Sequence, residues 1–502
     1  MTRPLEPSTC RIEAGDTLQL EADRLNSMAE GIARHEGLAV FVPGLLPGEA
    51  AQVRVVKTAR DFARAQPLHL SRPAANRVAA RCPLHHQPEA DGSFAQPFHC
   101  GGCQLQVMSR EDQLAFKRTL VAENLARVGR IEADVSAVAS GDPWGYRNKM
   151  SFTLTTEDGH LRWGLRSQED GDIAVPLHSC DIARPDLWKA ACQIIEVLDQ
   201  EFGPPLIWNG EQGVVRAATI RCHSGRTSPP KSPSDRASLE AAVICLFAVA
   251  TTEIPHLVRI ADALTHLSDV RVYFTYSDPR ANSVHFDAGR FLNRPPGRPP
   301  FWGEANYREE ICAWHTLGGW PTLVGPTNFL QVNDEMAGRL YSRILGFPFD
   351  GGLHAIDAYC GVGVLTRALA HRFERVMGIE LDTQAIKLAR TTSRRLHDCR
   401  VEWVAEPAEA VFGRIAKEPP RSKAQKPDLV VVDPPRKGCQ PEVIHAILAL
   451  KPSDVIYVSC HPAALARDLK MLCAKEYRIA AIEPFDLFPQ THHVETLVHL
   501  KR

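Results

Sequence analysis

No stretch of 18 or more apolar residues occurs in the 502-residue chain. A spanning helix needs about 20, so no membrane span is expected. The first residues are polar and acidic and lack an apolar leader core, so no secretory signal is expected either. A surplus of charge of one sign is also missing. The formal net charge is −1, which excludes a protein that holds nucleic acid by overall basicity and leaves only local patches for that role. No internal repeat is found. Fourteen cysteines would suit a disulfide framework in a small secreted protein. In a long chain without a leader they read as reduced thiols, some of them metal ligands or catalytic, in a cytoplasmic protein.

Hydrophobic residues at 44% and charged residues at 23% place the chain among ordinary globular proteins, and its length suggests roughly two to four domains. Residues 12–72 alternate apolar and polar with glycine and proline at turns, as in Asp16-Thr-Leu-Gln-Leu-Glu-Ala and Ala50-Ala-Gln-Val-Arg-Val-Val-Lys. That pattern predicts a small β-barrel. A basic run follows: Arg54, Lys57, Arg60, Arg64, Arg72, Arg77 and Arg81, with Asp61 as the single acid between its ends. It is either a solvated surface or a phosphate-binding patch. An amphipathic helix is expected near 109–128. From Trp144 to about Gly325 the pattern is mixed α+β, interrupted by two low-complexity pieces beginning at Ser224 and Arg294 that lack the apolar content to pack.

From Gly325 onward, strand patterns at 353–357, 375–380, 401–405, 428–432, 455–459, 479–484 and 494–500 alternate with helical patterns at 365–372, 383–396, 442–450 and 463–474. Alternation of this kind predicts a parallel, doubly wound sheet. The last two strands have no helix between them, so the final strand should run antiparallel.

Ligands of open α/β sheets bind beyond the carboxyl ends of the strands, so the residues after each strand carry the functional reading. After the first comes Asp357-Ala-Tyr-Cys-Gly-Val-Gly, where Gly361 and Gly363 would admit a ligand close to the backbone. After the second comes Glu380, an acceptor for ribose hydroxyls. A third glycine does not follow; Leu365-Thr-Arg stands there, which weakens the rival reading of a dinucleotide dehydrogenase. The fourth strand ends in Asp433-Pro-Pro-Arg, the fifth in Ser459-Cys-His-Pro, and the seventh begins at His493-Val-Glu. An antiparallel last strand starts at the rim where parallel strands finish, so Asp433, Cys460 and Glu495 should converge.

Together with Phe329-Leu-Gln-Val-Asn, these motifs resemble those of the RNA uracil-5-methyltransferases, the TrmA/RlmD family. The front of the chain fits the same resemblance. Gly37-Leu-Ala-Val-Phe-Val-Pro-Gly looks like a TRAM domain, a small RNA-binding barrel of OB-like form, and Tyr146-Arg-Asn-Lys looks like the family's central signature. The resemblance implies an α/β class I (Rossmann-like) S-adenosylmethionine methyltransferase sheet over 326–502, a TRAM-like barrel over 1–75 and an α+β central domain over 76–325. It implies Cys460 as nucleophile, Glu495 as base, and Gln331, Tyr359, Gly361, Gly363, Glu380 and Asp433 as contacts of S-adenosyl-L-methionine. Arg147 and Lys149 are candidate substrate contacts. Pro407 stands where an adenine-binding Asp or Asn is frequent, with Glu406 as a substitute.

Cys82, Cys100, Cys103 and Cys180 form the candidate metal set. Four thiolates suit zinc or a four-iron cluster, and the irregular gaps of 17 and 76 residues favour zinc on spacing alone. The resemblance implies instead a structural [4Fe-4S] cluster, as in the ribosomal-RNA branch. The first gap is longer than usual there and contains His85, His86 and His99. The expected substrate is a single-stranded or flipped uridine of RNA, 23S rRNA before tRNA. No DNA, membrane or obligate protein partner is expected. An amino-group methyltransferase using Asp433-Pro-Pro is the alternative of another class.

Overall fold

The computed structural model describes residues 12–502 apart from 224–241, 252, 265, 268–269, 279, 281–283, 285–289, 294–300, 305–311, 350–351, 399 and 418–425. The segments after Ser224 and Arg294 therefore lie outside the described residues. The chain divides into two compact units: residues 1–113 with 165–175 and 490–492, and the remainder. No helix among the described residues is long and apolar enough to cross a membrane.

The first unit opens with β1 (Thr17–Leu25), β2 (Glu30–His35), β3 (Leu38–Pro43), β4 (Ala50–Thr58) and β5 (Phe62–Arg72), closed into a barrel of order β1-β2-β3-β5-β4. Period-two alternation builds it: Ala51, Val53 and Val55 are buried while Gln52 and Arg54 face out. The parallel pairing of Ala39 with Phe62 leaves no free edge. Glu49, fully buried, accepts from Arg77 at 2.6 and 2.7 Å and from the amides of Leu46 (2.7 Å) and Ala74 (3.0 Å), which fastens the chain leaving the barrel.

The basic run needs a correction here. Arg64 pairs with Glu30 at 2.9 Å, Arg72 with Glu21 at 2.7 Å and Arg77 with Glu49. These acids lie outside the run in sequence, and the barrel folds them back onto it. The exposed basic face at the end of β4 is narrower than the sequence implies: Arg54, Lys57 and Arg60.

The second unit begins within α1 (Arg110–Asn124), which continues as a single π-turn to Gly129. It then adds β6 (Lys149–Glu157) and β7 (His160–Arg166); the short β8 (Ala174–Pro176) precedes α2 (Pro185–Glu201). Next come β9 (Val215–His223), β10 (Ala242–Val249), α3 (Ile254–Ala263), β11 (Val270–Tyr276), β12 (Arg290–Asn293) and β13 (Phe301–Glu304), giving a sheet whose order runs β13-β12-β11-β10-β9-β6-β7. A hairpin, β14 (Ala313–Leu317) and β15 (Trp320–Val324), precedes α4 (Asp334–Leu345).

The C-terminal sheet comprises β16 (His354–Ala358), α5 (Val364–Leu369), β17 (Arg375–Glu380), α6 (Thr383–Leu396), β18 (Val401–Ala405), α7 (Ala408–Lys417), β19 (Leu429–Val432), α8 (Pro441–Leu450), β20 (Asp454–Ser459), α9 (Pro462–Cys473), β21 (Arg478–Phe485) and β22 (Glu495–Lys501). Its order is β18-β17-β16-β19-β20-β22-β21, with β22 antiparallel between β20 and β21. Apolar runs such as Leu429-Val-Val-Val, buried throughout, suit a parallel sheet covered on both faces. The helices start on local signals. Asp382 accepts from the Gln384 amide at 2.8 Å, Pro441 and Pro462 occupy first-turn positions, and His461 Nδ1 accepts from the Ala464 amide at 3.2 Å.

Candidate active site at the carboxyl rim

The register of the sheet brings the reacting groups together. Ser459 pairs with Thr496 across β20 and β22. One step further along these antiparallel strands, Cys460 meets Glu495. Cys460 is half-buried, between the end of β20 and the N-terminus of α9, whose positive end favours a thiolate. Glu495 is buried, and its Oε1 has no hydrogen-bond partner. An unpaired buried carboxylate oxygen is costly, which marks Glu495 as a candidate functional group.

Asp433 follows β19, which lies between β16 and β20. Its amide bonds Ala358 O at 3.4 Å. Burial, with Asp357 and Glu380 as like charges, pushes the Asp433 carboxyl up to about 7. Burial pushes Asp357 up to about 7 as well, although it accepts a 2.6 Å bond from Thr366. Burial and Asp433 lift Glu495 well above the usual carboxylate range, and Arg436 opposes them. The Cys460 thiol rises to about 11 through burial and then through Glu495 and Asp433. The rim therefore carries several crowded acids against one guanidinium, an environment that attracts a small cation.

The remaining expected contacts surround the same sheet end. Tyr359, Gly361 and Gly363 all take positive φ (64°, 55° and 76°), a left-handed turn between β16 and α5. A Cβ at Gly361 would meet open space, so this turn leaves room for a ligand. At Gly363 it would lie 2.1 Å from the Trp403 ring, so no side chain fits there. Glu380 ends β17; its carboxylate accepts from the Gly361 amide at 3.0 Å and the Asp382 amide at 2.9 Å. Glu406 is half-buried and held by Arg414 at 2.6 Å. Gln331 is buried before α4.

The central signature reaches this site indirectly. Asn148 Nδ2 donates to Gln331 O at 3.1 Å and to Asp334 at 2.6 Å, and its amide bonds Val332 O at 2.9 Å. Tyr146 donates to Pro489 O at 3.0 Å. Asn148 is thus the residue that fixes the Gln331 segment, a role hidden in sequence by a separation of 183 residues. Lys149, among Arg221 and Arg147, has its ammonium pulled down to about 7, mainly by burial.

Two more residues escaped sequence reasoning, and a third, already in a quoted motif, gains a partner. Tyr341, on α4, has its phenol pushed up by burial and by Asp433, Asp357 and Glu495, which places it against the acid cluster. Asp468, on α9, is buried and accepts from the Cys439 amide (2.9 Å), Tyr457 (2.7 Å) and Arg467 (2.8 Å), pinning the loop after Asp433-Pro-Pro-Arg. His493 contacts Arg436 at 3.3 Å. Motif spacing gives no signal for the first two.

The candidate metal cysteines are divided. Cys82, Cys100 and Cys103 belong to the first unit and Cys180 to the second. All four are half-buried. The Cys100 amide bonds Leu84 O at 2.9 Å, closing the 17-residue gap, and the Gly102 amide donates to Cys100 Sγ at 3.4 Å. A Cβ at Gly101 would lie 2.8 Å from Arg166 O, so this turn tolerates only glycine. Within the first unit, Cys82, Cys100 and Cys103 are half-buried thiols, with an amide aimed at one sulfur, a chemistry compatible with thiolate ligands.

Comparison with known proteins bears on the family and the fold. Residues 326–502 match the family model described as tRNA (Uracil-5-)-methyltransferase, and residues 12–68 match the TRAM domain. An uncharacterized RNA methyltransferase of Halalkalibacterium halodurans is 30% identical over 499 residues, covering 98% of each chain. One from Clostridium tetani is 28% identical over 495 residues, covering 97% of this chain and 96% of its own. Among solved structures, the Pyrococcus abyssi tRNA (uracil-54, C5)-methyltransferase in complex with S-adenosyl-L-homocysteine superposes with a TM-score of 0.67 at 24% identity, over 96% of this chain and 100% of that one. That likeness establishes the fold.

Proposed function

As this chain belongs to the RNA uracil-5-methyltransferase (TrmA/RlmD) family and carries a TRAM barrel, we propose that it methylates carbon 5 of a uridine in 23S rRNA, with S-adenosyl-L-methionine as donor. The observation that carries the reading is Cys460 set beside a buried Glu495 whose Oε1 is unpartnered. Carbon 5 of uracil is a poor nucleophile. Cys460 adds through sulfur to carbon 6, and the electron pair moves to give an enolate that makes carbon 5 nucleophilic. The donor supplies an electrophilic methyl carbon. Glu495 then removes the carbon-5 proton, and the Cys460 sulfur leaves as the ring double bond reforms. A carboxylate whose proton affinity is raised by burial is the stronger base for that step.

The acid cluster fits the donor, which carries a sulfonium and an ammonium. Asp433 and Glu380 would face it, the turn from Tyr359 to Gly363 would hold it through the backbone, and Gln331 would close its edge. A nearby cation favours the ionised forms of Asp433 and Glu495. The uridine must be single-stranded or flipped to reach Cys460. Arg54, Lys57 and Arg60 would supply salt-dependent phosphate contacts, and Arg147 and Lys149 contacts nearer the site. We assign 1–75 to the RNA-binding barrel, 76–325 to the central domain and 326–502 to the catalytic domain. Cys82, Cys100, Cys103 and Cys180 would hold a [4Fe-4S] cluster in a structural role, with zinc as the alternative. A cytoplasmic location follows from an RNA substrate and reduced thiols.

The barrel and the cysteine set favour rRNA. The family description of residues 326–502 favours tRNA as the second reading. Nucleoside mass spectrometry after incubation with the donor and either 23S rRNA or bulk tRNA separates them. 5-Methyluridine in rRNA alone is expected. The same product in tRNA alone overturns the rRNA assignment, and methylation at any other position overturns the reaction.

A further inference from the structure

The long gap between Cys82 and Cys100 holds a second cluster of donor atoms. His86 and His99 are buried, and their rings stack with centroids 3.8 Å apart. Both face one oxygen of Glu169: His86 Nε2 lies 2.8 Å and His99 Nδ1 2.7 Å from Oε1. The other oxygen, Oε2, is occupied by Ser167 Oγ at 2.5 Å and the His99 amide at 2.9 Å. The carboxylate is thus oriented by one oxygen and offers the other. All three residues lie in the first unit.

Two observations mark this as a ligand set and not a satisfied core cluster. The Nδ1 of buried His86 has no hydrogen-bond partner among the described protein atoms, and its Nε2 faces the same Glu169 oxygen as His99, so three donor atoms converge on one point. An unmet imidazole nitrogen in a buried site is costly. Neighbouring His85 differs. Its Nε2 accepts from the Gln106 amide at 3.3 Å, and its Nδ1 lies 3.1 Å from His86 O. The structure also holds His86 in place sterically. A Cβ at Gly44, in the turn after β3, would lie 2.4 Å from His86 Cβ, so only glycine lets the ring seat.

We propose that His86, His99 and Glu169 bind a single divalent transition-metal ion of the zinc type, separate from the centre assigned to the cysteines. Two imidazole nitrogens and one carboxylate oxygen form a donor set that suits zinc. Ser167 plays the part of an outer partner that fixes the ligating oxygen. The ion would clip the residues between Cys82 and Cys100 to the strand-following segment that carries Glu169, a structural role for an inserted loop.

The full-length chain, stripped with chelator and titrated with Co2+ and then Zn2+, tests this. The wild type should take up about one metal ion per chain outside the cysteine centre. Its cobalt spectrum should show ligand-field bands without thiolate charge transfer, and zinc-edge absorption should show nitrogen and oxygen neighbours only. The Cys100→Ser/Cys103→Ser variant should retain this ion. His86→Ala and Glu169→Gln should weaken its binding by more than the ~10–100-fold of an outer-partner change. Sulfur neighbours, no stoichiometric uptake by the wild type, or loss of the ion with the cysteine variant would each overturn the proposal. So would undiminished affinity in His86→Ala. The wild-type spectra decide the matter even if a variant fails to fold.

Discussion

Cys460 and Cys100 are both half-buried, yet their surroundings separate them. Around Cys460 stand buried acids, Glu495 with an oxygen unpartnered and Asp433 pushed up to about 7. Around Cys100 the backbone closes in, with the Gly102 amide on its sulfur and Leu84 O on its amide. The first setting surrounds the sulfur with titratable groups, which suits the nucleophile's role proposed for it. The second holds a sulfur among backbone groups, which suits the structural role proposed for it. Thiol chemistry is thus assigned by neighbours; cysteine count and exposure do not decide it.

Breaking the contrast at its strongest point means removing the nucleophile. Cys460→Ala should lower methyl transfer by at least ~10⁴-fold in single-turnover assays, while Cys100→Ser should leave the donor site's affinity for S-adenosylhomocysteine unchanged by calorimetry. Glu495→Gln should lower turnover by about 10²–10⁴-fold and should let the covalent RNA adduct accumulate, visible on denaturing gels. Turnover lost with no adduct would move the base elsewhere.

The pH dependence sharpens the same contrast. Burial, with Glu495 and Asp433, pushes the Cys460 thiol up to about 11, so its thiolate fraction, and with it the adduct rate, should climb up to about tenfold per pH unit on the alkaline side. Asp433, near 7, must be ionised to meet a cation. Donor affinity should therefore strengthen several-fold between pH 6 and 8, and Asp433→Asn should flatten that profile.

The smallest effect concerns the scaffold. Gly363→Ala places a Cβ 2.1 Å from Trp403 at φ 76° and should cost about 1–3 kcal/mol, read as a lower melting temperature. Gly361→Ala meets no neighbour, so its steric cost is absent, and only the milder cost of its positive φ remains.

Much of this was legible in the sequence because strand and helix periods are local. The alternation in 12–72 gave the barrel, and the missing last helix gave the antiparallel β22. The convergence of Asp433, Cys460 and Glu495 followed from chain direction alone. What escaped the sequence depends on distant pairings. Arg64 meets Glu30 and Arg77 meets Glu49 only once the barrel closes, so the basic run looked broader than it is. Asn148 finds Gln331 across 183 residues, and Glu169 finds His99 across 70. No spacing rule reaches that far.

The claim that Cys460 attacks a uracil ring is tested most directly with RNA in which the target uridine is 5-fluorouridine. Fluorine at carbon 5 cannot leave as a proton does, so methyl transfer should stop at the covalent stage. The wild-type chain, with the donor present, should form an adduct that survives denaturation, and peptide mapping should place it on Cys460. Absence of that adduct, or its persistence in Cys460→Ala, would contradict the mechanism.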